Sequence, residues 1–508
     1  MKKSVYDVLL EPVTEGLISE NIISHYVVPK GAVSYAENMH NDTLGYMVSR
    51  RSFVSVGTSP AAQVLSCYLY QLASVGSTGY ITWQEGTSFK VQDLLGTGGV
   101  TTHAATFGLS QKQRYDTIQG YLLMTNVGTA QPKLFNVIAT PPAAIAGTAF
   151  PTSMNLVSAG FNGRVWMASD TDATNKLYYS DVVPAAGIAS LTGGASYLTI
   201  NANDGDKITG FARLQNVLYV FTHNGIFRCY NTQSLDNTSI SNVGCFNQEA
   251  IIKGKNGFYF YHPSGIYFIG SNGFPQEVSA KIRDIIQKIP NANQSSVFGW
   301  ADDDHVYYNV GNLPALSSTK QYILRYTMST QVWTVYTITS TSASLIPRCA
   351  AYENFASTSI TSDDIYPSNV LFVDDGINYY KGTFNIYNPS TVNIGVSSDF
   401  TNYPVYIDYQ THWMTFELEA HTKRINGITQ SHENGAGLKF AYQTDKDTEN
   451  IWHPIGELDS NYVTLFPSFQ SDHFNRIKFR VYGESKGVII KIGAPTIISL
   501  DDLGFEKN

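Results

Sequence analysis

The chain has 508 residues, enough for roughly two to four domains around substantial cores. Its 33 Lys and Arg against 41 Asp and Glu leave a net charge of −8, and no basic run exceeds the doublets Lys2-Lys3, Arg50-Arg51 and Lys423-Arg424. That excludes a tight grip on nucleic acid, which needs a basic patch to displace counterions. No apolar run approaches the roughly 20 residues of a membrane helix, and Asp7 and Glu11 interrupt any signal-peptide core. The expectation is a soluble, unprocessed protein made in the cytoplasm and not inserted in a membrane.

Only 15% of residues are charged, while 33 Tyr, 26 Phe and 41 Gly are present. Rings pack well on a pleated surface and glycine serves tight turns, so the chain reads as mainly β. Residues 1–62 form an N-terminal strand or arm segment that contributes to a platform or to the domain after it. Glu37-Asn38, a turn at Asn41-Asp42 and Gly45, and a strand carrying Met47, Val48, Phe53 and Val54 fall here.

From 63 to 386 short strands alternate with turns. Asn162-Gly163, Asn224-Gly225, Ser264-Gly265 and Asp375-Gly376 each sit between β-prone runs, where positive φ angles are expected. Two hairpins, VLYVFTHNGIFRCY (217–230) and GFYFYHPSGIYFIG (257–270), share a turn, a Gly-Ile pair and an aromatic about 40 residues apart. Intervals near 40 to 50 residues point to propeller blades, here irregular and carrying insertions. In VSAKIRDIIQKIP, Ser279 is placed to cap a short helix, and Ile282, Ile285, Ile286 and Ile289 form a stripe that braces neighbouring blades before Pro290 ends it. Segments 142–153 and 356–368 read as surface loops, and 387–404 as a domain boundary. Longer strands in 387–508 predict a C-terminal β-sandwich of jelly-roll-like kind.

No constellation asks to be an active site. Asp302-Asp303-Asp304-His305 could hold a hard cation, but it lies where a hairpin turns and reads as solvated. Asp170, Asp172 and Asn175 lack the Gly and distal Glu of a calcium loop, and Asp204-Gly205-Asp206 is a turn. Eleven histidines form no zinc pattern. His223 and His262 occupy equivalent places before the two hairpin corners, which suggests packing. Cys67, Cys229, Cys245 and Cys349 are expected as free thiols. Trp83, Trp166, Trp333, Trp413 and Trp452 could stack sugars, although core filling is the simpler use. The expectation is no enzyme, and no catalytic, cofactor-binding or metal residues.

Three blocks carry a likeness. They are GAVSYAENMHNDTLGYMVSRRSF (31–53), with Glu37-Asn38, Gly45 and Arg50-Arg51; the block 218–286, with Gly244-Cys245, Gly265-Ile266-Tyr267 and the helix from Val278; and the aromatic unit 303–336 with Trp333. Together they resemble the tail hub and nozzle proteins of short-tailed bacteriophages, a group that includes packaged-DNA stabilisation proteins. The resemblance implies a β-propeller virion protein assembled as a homo-oligomeric ring, a hexamer by the family's symmetry, below the portal and tail adaptor. Its channel would retain packaged double-stranded DNA and conduct it during ejection without sequence specificity. Loops 142–153 and 356–368 are candidate contacts or gates. The alternative is a carbohydrate-binding or glycan-cleaving propeller used in host attachment.

Overall fold

The structure, a computed structural model, describes residues 3–9, 14–19, 28–29, 31–41, 45–51, 53–55, 59–71, 79–93, 99–104, 112–125, 132–135, 141–144, 150–152, 154–170, 175–183, 193–200, 206–302, 304–338, 345–352, 369–384, 398–399, 403–416, 421–448, 451–467, 469–485 and 488–505. Strands dominate, and the described helices are single turns such as Ala280–Ile282 and Arg283–Gln287.

Seven four-stranded antiparallel units follow one another within 64–104, 115–144, 156–199, 208–235, 251–277, 298–336 and 346–383, the last completed by Val54–Ser55. We number these blades 1 to 7. From blade 2 onward the first strand of each blade packs on the first strand of the next, and Ile346–Tyr352 of blade 7 packs on Val64–Gln71 of blade 1. Blades 1 and 2 meet through Tyr68 and Tyr115, whose rings stack at 5.7 Å. The ring therefore closes as a seven-bladed propeller, and blade 7 is stitched by a strand from the N-terminal side.

Alternation explains the packing. Side chains on successive strand positions face opposite sides, so each blade offers an apolar face to both neighbours. Shared clusters join blades 1 and 2 (Tyr80, Phe89, Leu122, Phe135), blades 3 and 4 (Trp166, Leu177, Leu218, Phe227) and blades 6 and 7 (Trp300, Tyr307, Leu371, Val373). At the closing seam Trp83 meets Phe372 at 5.7 Å, and the buried Lys381 ammonium lies 4.9 Å from the Trp83 ring. Lys381 also donates to Gln92 Oε1, and burial brings its pKa down to about 8.

Blade 6 does not end at its fourth strand. Val332–Tyr336 bridges in parallel to Ala32–Glu37, which pairs with Tyr406–Thr411; Ile477–Glu484, Lys439–Thr444 and His453–Glu457 follow. A second sheet runs Met39–Asn41, Met47–Ser49, Lys491–Phe505, His421–Glu433, Val463–Phe466, with Lys3–Leu9 also on Lys491–Phe505. The two sheets form the β-sandwich, with Ile425, Ile428, Phe440, Phe479, Val481 and Ile497 between them. One apolar cluster is continuous from this interior into blades 4 to 6. The described strands within the first 55 residues thus belong to both bodies. Of the segment 387–404, only 398–399 and 403–404 are described; loop 356–368 lies outside the described residues, as do 145–149 and 153 of the other loop.

The isoleucine stripe is buried as the spacing predicts: Ile282, Ile285, Ile286 and Ile289 are at most 4% exposed and pack in the cluster joining blades 5 and 6. Ser279, however, caps nothing. Its hydroxyl accepts from the backbone N–H of Ile266 at 2.8 Å. Blade 4 repeats the device, with Ser239 Oγ accepting from Ile226 N–H at 2.8 Å. This explains both Gly-Ile pairs. Neither Gly225 nor Gly265 takes a positive φ; a Cβ on either would sit within 2.9 Å of the serine hydroxyl. The expected positive φ does occur at Asn162-Gly163 and at Gly376.

Trp83→Ala is expected to cost about 3–5 kcal/mol in urea unfolding. Hydrogen exchange should rise first in Val64–Gln71 and Ile346–Tyr352. Protection lost evenly around the ring would contradict a seam held by this contact.

Candidate functional site

The blade-6 sheet continues into the sandwich through a buried polar clamp. Asn38 follows Ala32–Glu37 with φ +56°, a left-handed turn that asparagine tolerates better than most residues. Its Nδ2 donates to Thr337 Oγ1 and to Tyr406 O, both at 2.8 Å. Its Oδ1 accepts from Thr337 N at 2.8 Å and Arg50 Nε at 2.9 Å. Arg50 is 1% exposed, donates also to Thr337 O at 2.7 Å, and lies 5.3 Å from the Phe384 ring of blade 7. Thr337 Oγ1 passes the chain to Glu37 Oε1 (3.1 Å), which takes Lys320 Nζ at 2.6 Å. Nearby, Arg480 grips Asp408 in a fork (2.9 and 2.5 Å), yet burial outweighs that pairing and the Asp408 carboxyl lies above its usual range. Arg50 and the fully buried Lys423 mean that two of the basic doublets are partly structural.

A second constellation closes the propeller axis. Call the upper face the one at which the innermost strands begin. There the segment Lys112–Arg114 crosses the mouth. Gln113 N–H donates to Ser66 Oγ of blade 1 at 3.2 Å. Arg114 reaches across to Glu249, ahead of blade 5, with Nε at 3.0 Å and Nη2 at 3.2 Å, and its Nη1 meets Asp170 at 3.3 Å and Asn155 O at 2.9 Å. Burial alone raises a carboxyl, but the Arg114 guanidinium, helped by Lys112, brings Glu249 down to about 2. Blades 2 and 5 are as far apart as a seven-membered ring allows, so this ion pair is a plug.

The residues singled out from sequence are spread through the fold. Asp302 is buried, not solvated: it accepts from His305 Nδ1 (2.7 Å), His305 N (2.8 Å), Asp304 N (3.0 Å) and Tyr307 OH (2.9 Å). Burial pushes its carboxyl up, and these bonds more than reverse that, holding it below the usual range. Asp303 lies outside the described residues, as do Asp172, Asp204 and Gly205. Asp170 accepts from Asn155, Asn175 reaches Asp206 O at 2.8 Å, and Asp206 accepts from His223 N (2.8 Å) and Asn224 N (3.2 Å).

His223 and His262 flank one ring, Phe246, at 4.9 and 6.3 Å. Trp83, Trp166 and Trp333 are core. Trp413 and Trp452 are half-buried, with Lys478 at 4.8 and 5.2 Å from their rings. The four cysteines are free; burial pushes Cys229 and Cys245 up to about 12. Among the described residues no group of three or more His, Cys, Asp or Glu could hold a metal ion, and no helix is long and apolar enough to cross a membrane. Thr337, Lys320, Arg114 and Glu249 carried no sequence signal, because each acts through a partner more than a hundred residues away.

No protein-family model and no curated protein matches the chain. Three solved structures are similar to it in arrangement. BBS1N, crystallised in complex with ARL6DN, shares 7% identity over 68% of this chain and 99% of its own, with a TM-score of 0.38. The extracellular domain of the putative one component system BT4673 from B. thetaiotaomicron shares 10% over 95% and 64%, at 0.42. The AfRom2 CNH domain shares 12% over 67% and 100%, at 0.41. Likenesses at this level say nothing of activity.

Asn38→Gly keeps the backbone freedom and removes four buried hydrogen bonds. It is expected to cost at least about 3 kcal/mol in chemical denaturation; a loss within about 0.5 kcal/mol, the range of an ordinary surface change, would contradict the clamp. Glu249 is ordinarily a group of pKa 4.5 and sits near 2 here, so its stabilisation is full above 4.5 and is lost as pH falls toward 2. Glu249→Gln should therefore flatten the pH dependence of unfolding between about 4.5 and 2. An unchanged slope would remove the plug's contribution.

Proposed function

We propose that the chain is a structural virion protein, a tail hub or nozzle subunit without enzymatic activity. Made in the host cytoplasm, it assembles in the virion, six copies to a closed ring, below the portal and adaptor. The ring retains the packaged genome and conducts it at ejection. The supporting observation is a pair of exposed apolar patches on different bodies of one chain. On the propeller, Val182 and Phe274 stand in turns between the third and fourth strands of blades 3 and 5, and Tyr230 near the end of the third strand of blade 4; they are 56, 50 and 37% exposed. On the sandwich, Tyr462, Val463 and Leu465 are 60, 44 and 61% exposed, and Val463–Phe466 is an edge of its sheet among the described strands. Contiguous exposed apolar surface marks interaction sites, and an open strand edge invites pairing. Two unlike patches suit a head-to-tail contact, and such contacts build rings when their rotation closes.

The plugged propeller axis agrees with this reading, because DNA would pass between copies around the ring centre and not through a propeller. The net charge of −8 suits passage without grip.

Electron microscopy of purified virions, with mass spectrometry of their tails, tests the reading: the chain is expected as a ring in the tail, and its absence from virions would overturn it. Leu465→Asp and Phe274→Asp should each shift the purified protein from ring to monomer in native mass spectrometry, with stability changed by no more than about 0.5 kcal/mol. A ring that survives both would show that these patches are not the contact.

A further inference from the structure

A pocket of about 370 Å³ opens on the upper face where blades 6, 7 and 1 meet. Its polar lining consists largely of carboxamides: Gln63, Asn293, Asn309, Asn312 and Gln321. Lys112 and Arg348 supply cations, and neither Asp nor Glu lines it. Arg348 is already engaged by the buried Asp374, in a fork with one arm at 3.0 Å. Lys112 is not: no described carboxylate lies within ion-pair distance of it, and its ammonium rests 6.0 Å from the Phe298 ring at the pocket wall. Asn309 is 6% exposed; its Nδ2 has one long bond to Pro347 O (3.5 Å), and its Oδ1 is buried with no partner. A buried acceptor left unsatisfied costs about 1–3 kcal/mol, a cost that a ligand hydroxyl removes.

We infer that this pocket binds an acidic saccharide, about one or two sugar rings carrying a carboxylate. Asn293 Nδ2 is committed to Asn312 O, and Asn312 Nδ2 to Ser317 O and Lys320 O, which leaves their amide oxygens to accept from the hydroxyls of a pyranose. The orphaned Asn309 Oδ1 takes a hydroxyl proton, and Lys112 takes the carboxylate. A nucleotide fits less well, because its phosphates call for more than one unengaged cation. Apart from Lys112, whose charge also acts on Glu249, the site uses residues outside the clamp and the Arg114–Glu249 pair, and it does not depend on ring assembly. A saccharide-binding chain absent from tails would leave this inference standing and remove the ring reading; a tail ring that ignores saccharides would do the reverse.

Calorimetric titration of the full chain with digalacturonate and with galactobiose, its neutral counterpart, tests the site. Digalacturonate is expected to bind at least about tenfold tighter. Lys112→Met should erase that difference while leaving the galactobiose affinity in place. Asn309→Leu should weaken both, and Asn309→Asp, which keeps the shape, should weaken digalacturonate more than galactobiose. No binding of either at millimolar concentration, equal binding of the two, or a Lys112→Met protein that still prefers the acid would each overturn the inference.

Discussion

A strand leaving the sandwich can pass alongside blade 6 and turn back toward blade 7 only if its backbone reverses in a place with no access to water. Asn38 makes that reversal, and its single carboxamide satisfies groups from three separate parts of the chain: Arg50, Thr337 and Tyr406. An apolar residue would leave those donors and acceptors bare, and a larger polar one would not fit a 1%-exposed position. Everything downstream depends on this corner. It sets the register of Ala32–Glu37 against blade 6, and from there the chain reaches Val54–Ser55, the strand that closes the ring.

The same economy governs the other buried charges. Arg50, Arg325 and Lys381 are buried with ring faces beside them, at 5.3, 5.5 and 4.9 Å from Phe384, Tyr336 and Trp83. A cation over a ring recovers part of its lost hydration, so aromatic richness and low charge content serve one purpose. The rings fill the spaces between blades and also host these buried cations, of which Lys381 joins blade 7 to blade 1. Carboxylates are treated differently: Asp302, Asp374 and Glu249 each sit at the head of a strand or turn and gather hydrogen bonds from close partners.

The alternation of rings and β-branched residues made the strands legible, and the Gly-Ile hairpins gave away the repeat. The isoleucine stripe was readable because helical spacing is local. What escaped was long-range. Ser239 and Ser279 lie 13 residues from the N–H groups they accept, and a spacing that length is not a motif unless the repeat is aligned on its glycines. Asp302 looked solvated among neighbouring carboxylates because sequence does not show Tyr307 and His305 folding back on it. The clamp was marked only by Glu37-Asn38 and Arg50, without Thr337 or Lys320. The amide-rich pocket was invisible, since its lining comes from six stretches of chain that only the closed ring brings together.

The central claim is that propeller and sandwich form one cooperative body, joined by a shared sheet, a continuous apolar cluster and the Asn38 clamp. Differential scanning calorimetry of the intact chain tests this most directly. A single transition whose calorimetric and van't Hoff enthalpies agree is the predicted result. Two separable transitions, one for each body, would contradict it.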